Sequence, residues 1–194
     1  IEGHITFMDK ASMLVAHVVD PQPGERILDC CAAPGGKSMH MASLMNNTGA
    51  IMSCDIYDHK LELINQNAER LGVSIISTKL QDGRYLPDNW KEQFDRVLVD
   101  APCSGLGILQ KKLDMRWRKT EDLLNELPPL QLEILEKASE MVKANGYLVY
   151  STCTMNSGEN EAVLNKFLAI HKNFIIDPVS YKGAPQAIDG MITT

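Results

Sequence analysis

No stretch of this 194-residue chain approaches the ~20 consecutive apolar residues that cross a bilayer, so a membrane-spanning helix is not expected. The first residues carry no basic, apolar, small-residue signal, so a secretory leader is not expected either. The chain opens at Ile1 rather than Met, as a fragment or processed product does. No C-x-x-C occurs, and the five cysteines, an odd number, show no disulfide-like spacing. That speaks against a metal site and against a disulfide framework. Free thiols place the protein in a reducing compartment, hence the cytoplasm. G-x-G-x-x-G is absent. Gly36-Lys37-Ser38 imitates the end of a P-loop, but Cys31 stands where the leading glycine belongs, so a triphosphate site is disfavoured. Basic charge is not in excess: the formal net charge is −6, which by itself argues against nucleic acid as a partner. Repeats and low-complexity segments are also lacking.

What remains is the composition of one soluble globular domain of ordinary size, 44% hydrophobic and 23% charged. Short apolar runs at 26–31 (RILDCC), 50–55 (AIMSCD), 74–78 (SIIST), 94–100 (FDRVLVD) and 147–151 (YLVYS) read as buried strands. Residues 174–176 allow a sixth. Between the strands, 39–45 has helical character. Apolar Leu61, Ile64, Ala68 and Leu71 mark a helix over 58–71, stopped by Gly72. A long loop is expected from the fourth strand to about Pro129. A helix over 130–142 follows, capped by Asn145-Gly146, and another over 158–171 has Asn156 and Ser157 as N-cap candidates. Strand and helix alternate, so the expected fold class is α/β: a mostly parallel twisted sheet with helices on both faces. The tail 181–194 shows no final strand, which leaves the sheet incomplete at its end. In such sheets ligands sit at the carboxyl ends of the strands.

The chemically unusual residues lie at those ends. Cys31, Ala32, Ala33, Pro34, Gly35, Gly36 and Lys37 form a small-residue turn from strand to helix. Small residues let backbone approach a ligand, and the helix start offers free N–H groups. A plain tight turn would look the same. Asp55 ends the second strand about 20 residues later, where an acid can hold both ribose hydroxyls; a surface aspartate is the plainer reading. Asp82, in a polar turn with Gly83 after the third strand, could reach an adenine amino group; a plain turn is the plainer reading. Asp100-Ala-Pro-Cys-Ser-Gly105 follows the fourth strand. Amine-methylating enzymes carry Asp/Asn-Pro-Pro-aromatic there, so Cys103 in place of the aromatic group favours thiol chemistry. Cys153, in Ser151-Thr-Cys-Thr154, follows the fifth strand and precedes a helix, where backbone N–H groups lower a thiol pKa. Each cysteine alone reads equally as a small buried residue. Cys30 and Cys54 sit on strands and read as core.

Two thiols at neighbouring strand ends match one chemical problem. Carbon 5 of cytosine is a poor nucleophile. A thiolate that adds to carbon 6 makes carbon 5 enamine-like and ready to take a methyl group. A base must then remove the carbon 5 proton so that the thiol can leave. Protonation at ring N3, helped by Asp100, stabilises the adduct. The residues alone do not say which thiol attacks. DNA cytosine methyltransferases use a Pro-Cys thiol, which leans toward Cys103.

CAAPGGK at 31–37, DAPCSG at 100–105 and STCT at 151–154, with Glu159-Asn160 beyond, resemble the RNA 5-methylcytosine methyltransferases of the Sun/Nop2 (RsmB-like) type. So do Gly3-His-Ile-Thr and Asp9-Lys-Ala-Ser-Met-Leu near the start. The likeness covers residues 3–178 and is nearest to bacterial enzymes that modify 16S ribosomal RNA. It implies a Rossmann-like fold with a seven-stranded sheet and S-adenosylmethionine as cofactor. It implies cofactor contacts from Cys31 to Lys37, Asp55, Asp82 and Asp100. It also implies that Cys153 is the nucleophile and that Cys103 helps release the product. Relatives carry an N-terminal RNA-binding domain and a final strand, so residues 1–194 are expected to be the catalytic domain of a longer protein. Ribosomal RNA is the expected partner, with the target cytosine unpaired or flipped out. The run from Lys111 to Lys119 (KKLDMRWRK) then reads as an RNA contact: Arg116, Arg118 and Lys119 on phosphates, and Trp117 stacking or packing. Transfer RNA as the substrate, an amine-directed methyltransferase and a non-catalytic binding module are the alternatives.

Overall fold

The computed structural model describes Gly3, residues 5–109 and residues 121–177. Within them lie α1 (Lys10–Val19), β1 (Arg26–Asp29), α2 (Gly36–Leu44), β2 (Ala50–Asp55), α3 (Asp58–Leu71), β3 (Ile76–Leu80), β4 (Phe94–Asp100), α4 (Glu121–Ser139), β5 (Val142–Ser151) and α5 (Glu161–Ile170). The strands form one parallel sheet in the order β3-β2-β1-β4-β5. The α/β class expected from the sequence is therefore observed, with five strands among the described residues rather than seven. The order reverses between β1 and β4, which opens a crevice at their carboxyl ends.

Alternation along the strands divides the core between the two faces. Val97 and Val99 point to one side with Leu148 and Tyr150, where Leu135 and Ala138 of α4 and Phe167 of α5 cover them. Leu98, Ile27 and Val149 point to the other, under Val15, Val18 and Val19 of α1 and Met41 of α2. Helix α3 lays Leu61, Ile64 and Ala68 against Ala32 and Met39.

Helix α1 has no counterpart among the expected elements. Its signals are Asp9, whose carboxylate accepts the Ala11 N–H at 3.0 Å as an N-cap, and buried Val15, Val18 and Val19 at helical spacing. Arg96 on β4 fastens the end of α1 to the sheet. Its guanidinium donates to the Val19 carbonyl (2.6 Å) and to Glu25 (2.7 Å), and lies 4.7 Å from the Tyr147 ring centre.

β2, α3 and β4 lie where the sequence puts them; other boundaries move for identifiable reasons. β1 stops at Asp29, before the turn takes over. β3 begins two residues late, because Asn47 captures the Ser74 N–H (3.0 Å) and pairing with β2 runs from Ile76 to Leu80. α4 starts at Glu121 and passes through Pro128 and Pro129. Proline lacks the N–H that an interior helical turn uses, so the pair reads as a helix boundary. Burial of Leu127 anchors the turns before it. Asn145-Gly146 does not cap a helix but makes an irregularity inside β5, where pairing with β4 shifts between Phe94 and Arg96. Asn145 takes φ 63°, and a Cβ on Gly146 would meet the Asp95 carbonyl at 2.7 Å. α5 begins at Glu161 after Asn160, so neither Asn156 nor Ser157 is its N-cap. Residues 174–176 are not a strand: Phe174 packs on the Phe167 ring, and Ile175 and Ile176 are exposed. Among the described residues no helix is long and apolar enough to cross a membrane.

Candidate active site

The parallel strands bring the sequence-predicted residues to one edge. After β1, Ala32 N–H donates to Cys54 O of β2 (2.8 Å), and Gly35 N–H closes the turn on Ala32 O (2.7 Å). Gly35 takes φ 98°, and a Cβ there would press on Ile64 at 3.1 Å. Only glycine fits this conformation without strain. A Cβ on Gly36 would meet only Met8, at 3.8 Å, so that side of the turn is open. Burial, joined by the neighbouring carboxylates, holds the half-buried Cys31 thiol well above its ordinary pKa and hence protonated.

Asp55 is buried at the end of β2. One carboxylate oxygen accepts the Tyr57 N–H at 3.0 Å; the other has no hydrogen bond among the described residues. Asp82 is committed to Arg84, whose Nη2 lies 2.7 Å from Oδ2 and whose backbone N–H donates to Oδ1 at 2.9 Å. Those bonds hold the Asp82 carboxyl below the usual range.

Asp100 ends β4 and joins three motifs. Lys37 Nζ of the glycine turn donates to Oδ2 at 2.6 Å, and Ser151 Oγ of β5 donates to Oδ1 at 2.8 Å. Cys103 and Cys153 then meet. Their sulfurs are 3.0 Å apart, and the Cys153 N–H points at Cys103 Sγ from 3.2 Å. Cys153 is exposed and Cys103 half-buried. A thiolate is better hydrated on Cys153, and the Cys103 S–H is placed to donate to it. That hydrogen bond lowers the Cys153 pKa to about 7, against burial and Asp100 and with help from Lys37. The same contact, with burial, raises the Cys103 thiol. Cys30 and Cys54 are buried core thiols, as the sequence suggests, and burial pushes both up.

Several residues escape sequence reasoning. Asp29 is fully buried behind the turn. Ser38 donates to its Oδ2 at 2.7 Å and Ser53 backs Ser38 at 2.9 Å, while its Oδ1 has no partner among the described residues. Burial raises its pKa to about 7. An acid ending an apolar strand is its only signal. Gln131 gives none, and the motif at 151–154 marks Ser151 without revealing its bond to Asp100, because both roles depend on which loops meet. The basic run from Lys111 to Lys119 lies outside the described residues. Among the described residues no group of three or more His, Cys, Asp or Glu is placed to hold a metal ion.

Comparison with known proteins fixes the family. The model of the 16S rRNA methyltransferase RsmB/F family matches residues 16–190. This chain belongs to that family. A probable ribosomal RNA small subunit methyltransferase B of Bacillus subtilis (strain 168) is 45% identical over 187 residues, which are 96% of this chain and 42% of that protein. Its counterpart in Synechocystis is 40% identical over 196 residues, 100% of this chain and 43% of that protein. The chain thus spans well under half the length of these RsmB/F-type relatives. Among solved structures, NSun6 from Pyrococcus horikoshii with SFG superposes with a TM-score of 0.84 at 33% identity, over 95% of this chain and 47% of that one. A methyltransferase homologue from the same organism gives 0.80 at 35% identity, over 93% and 56%. The RsmB/F assignment agrees with the resemblance carried by the motifs at 31–37, 100–105 and 151–154.

Proposed function

We propose that this chain transfers a methyl group from S-adenosylmethionine to carbon 5 of a cytosine in RNA, with 16S ribosomal RNA the favoured substrate. The observation that carries this reading is the pair of thiols 3.0 Å apart at the ends of β4 and β5. Membership in the RsmB/F family supports RNA as the substrate class. In the longer proteins to which it is similar, this stretch would be the catalytic domain, with RNA-binding parts elsewhere.

The residues at the strand ends suit the cofactor. Ala32, Ala33, Pro34, Gly35 and Gly36 make a turn whose backbone a ligand can approach closely, at the start of α2. Asp55 keeps one carboxylate oxygen free of donors among the described residues, as a ribose diol requires. Cys31, Lys37, Asp82 and Asp100 complete the cofactor side of the proposed site. When bound, S-adenosylmethionine supplies an electrophilic methyl group on a sulfonium.

The chain's own residues supply the rest. The Cys153 thiolate adds to carbon 6, a sulfur–carbon bond forms, and the carbon 5–carbon 6 electron pair moves through the ring onto N3, which takes a proton from solvent. Asp100, paired with Lys37 at the end of β4, accepts the hydrogen bond from that N3–H. After carbon 5 is methylated, a base takes its proton, the C–H pair forms the carbon 5–carbon 6 double bond as the carbon 6–sulfur pair returns to Cys153, and N3 gives its proton back to solvent. Cys103 assists by donating a hydrogen bond to the departing thiolate. The cytosine must be unpaired or flipped out to reach the thiol.

The test is adduct trapping with the intact protein and its RNA. Cys103→Ala is expected to accumulate a covalent RNA–protein adduct, and Cys153→Ala to form none. Adduct only with Cys153→Ala would reverse the two roles. Methylation that survives loss of both thiols would point to amine chemistry instead. Bisulfite mapping of cellular RNA with and without the gene identifies the nucleotide, and a transfer RNA signal alone would replace ribosomal RNA as the substrate.

A further inference from the structure

A buried carboxylate with no part in the chemistry above lies behind the thiol pair. Glu159 has 0% exposure and faces no cation within salt-bridge distance among the described residues. Ionised carboxylates are rarely left so. Its Oε2 accepts the Ser104 N–H at 2.8 Å and Gln131 Nε2 at 3.0 Å; its Oε1 accepts Asn156 Nδ2 at 3.2 Å. Burial raises its pKa, but these donors outweigh that and hold it below the ordinary value. Gln131, also fully buried, directs the same amide group at the Pro102 carbonyl, 2.9 Å away. Tyr150 OH donates to the Glu159 carbonyl at 2.7 Å. Asn156 belongs to the segment that carries Cys153, and Ser104 Oγ meets Thr154 Oγ1 across the gap at 2.8 Å.

The residues on either side of Cys103, Pro102 and Ser104, are therefore both gripped by one carboxylate–amide pair. The same carboxylate holds the segment beyond Cys153. We infer that Glu159, with Gln131, is a positioning residue for the two thiols: it locks the loops after β4 and β5 together and sets the distance between the sulfurs. Neither side chain contacts the proposed substrate. A carboxylate suits the place because it only accepts, and all three groups facing it are donors. A glutamine there would turn one of its own N–H groups toward a donor.

The consequence for methyl transfer rests on the two-thiol reading above; the clamp itself does not. The experiment therefore reads sulfur geometry directly, in the intact protein, with phenylarsine oxide. This reagent binds two neighbouring thiols: two sulfur–arsenic bonds form, and the oxide oxygen leaves as water with the two thiol protons. Peptide-resolved mass spectrometry is expected to show Cys103 and Cys153 captured together in the unaltered protein. In Glu159→Gln and in Gln131→Met, capture is expected to slow about tenfold, while single-site alkylation of Cys153 persists with its pH profile displaced upward as the Cys103 hydrogen bond is lost. Folded variants that capture the reagent at the unaltered rate would overturn the proposal. Should both variants fail to fold, hydrogen exchange at the Ser104 amide of the unaltered protein decides: protection like that of strand amides supports the clamp, and exchange at loop rates overturns it. Loss of capture in variants of a protein that methylates no RNA would leave the clamp standing and remove only the cytosine chemistry.

Discussion

The ammonium of Lys37 lies 2.6 Å from the carboxylate of Asp100, so the glycine turn after β1 is tied to the end of β4. The two side chains act on Cys153 with opposite sign: Lys37 favours the thiolate and Asp100 opposes it. Lys37→Met removes the favourable charge and leaves the unfavourable one. The alkylation–pH profile of Cys153 is then expected to move above its midpoint of about 7, and alkylation at pH 7 to slow several-fold. Iodoacetamide kinetics resolved by peptide will show it. An unmoved midpoint would mean that Lys37 does not act on the thiol.

Asp29 gives the fold its own pH dependence. Burial raises its pKa from 3.8 to about 7, so the folded state holds a proton that the unfolded chain has already released. The stability tied to that proton is fully present below about pH 4 and is lost as pH rises to about 7, at up to ~1.4 kcal/mol per pH unit. Asp29→Asn removes this dependence. Its melting temperature relative to the unaltered protein is expected to climb from pH 4 to 7 and to level off above. A difference that stays flat across this range would show that Asp29 is ionised in the fold.

Gly107 marks how closely the two loops approach. Its N–H donates to the Cys153 carbonyl at 3.0 Å, and a Cβ added to it would sit 2.8 Å from that oxygen. Because the obstacle is backbone, Gly107→Ala has to push the Cys153 loop away. About 1–3 kcal/mol of stability should be lost, readable in a denaturant titration. Joint capture of the two thiols by phenylarsine oxide should fall with it. Unchanged capture would mean that the loop yields elsewhere.

The strand at Phe94–Asp100 is legible from its apolar run, and the helix at Asp58–Leu71 from apolar spacing stopped by Gly72. Parallel pairing of β4 with β5 brings the loops that carry Cys103 and Cys153 to the same edge, but the contacts that close the distance between them are not legible in the sequence. Three kinds of information stay hidden at that level. Helix α4 runs through a proline pair that local rules treat as a boundary. Asn145-Gly146 looks like a helix stop, yet it serves an irregularity in β5 where Gly146 packs tightly against the Asp95 carbonyl and Val142. And Lys37, read as a cofactor residue, has a protein partner in Asp100, 63 positions away, which no local pattern reveals.

The Arg96 staple bears on where the protein can be cut. Every residue of the proposed site lies after Glu25, so a shortened chain begun at Pro23 would still carry all the chemistry. It would lack α1, and with it part of the cover over Ile27, Leu98 and Val149, and Arg96 would lose the Val19 carbonyl that fills one of its donors. Two of those side chains sit on β4 and β5, the strands that carry Cys103 and Cys153. The smallest unit that keeps the thiols in place therefore starts no later than Asp9, well ahead of the first residue that touches the chemistry.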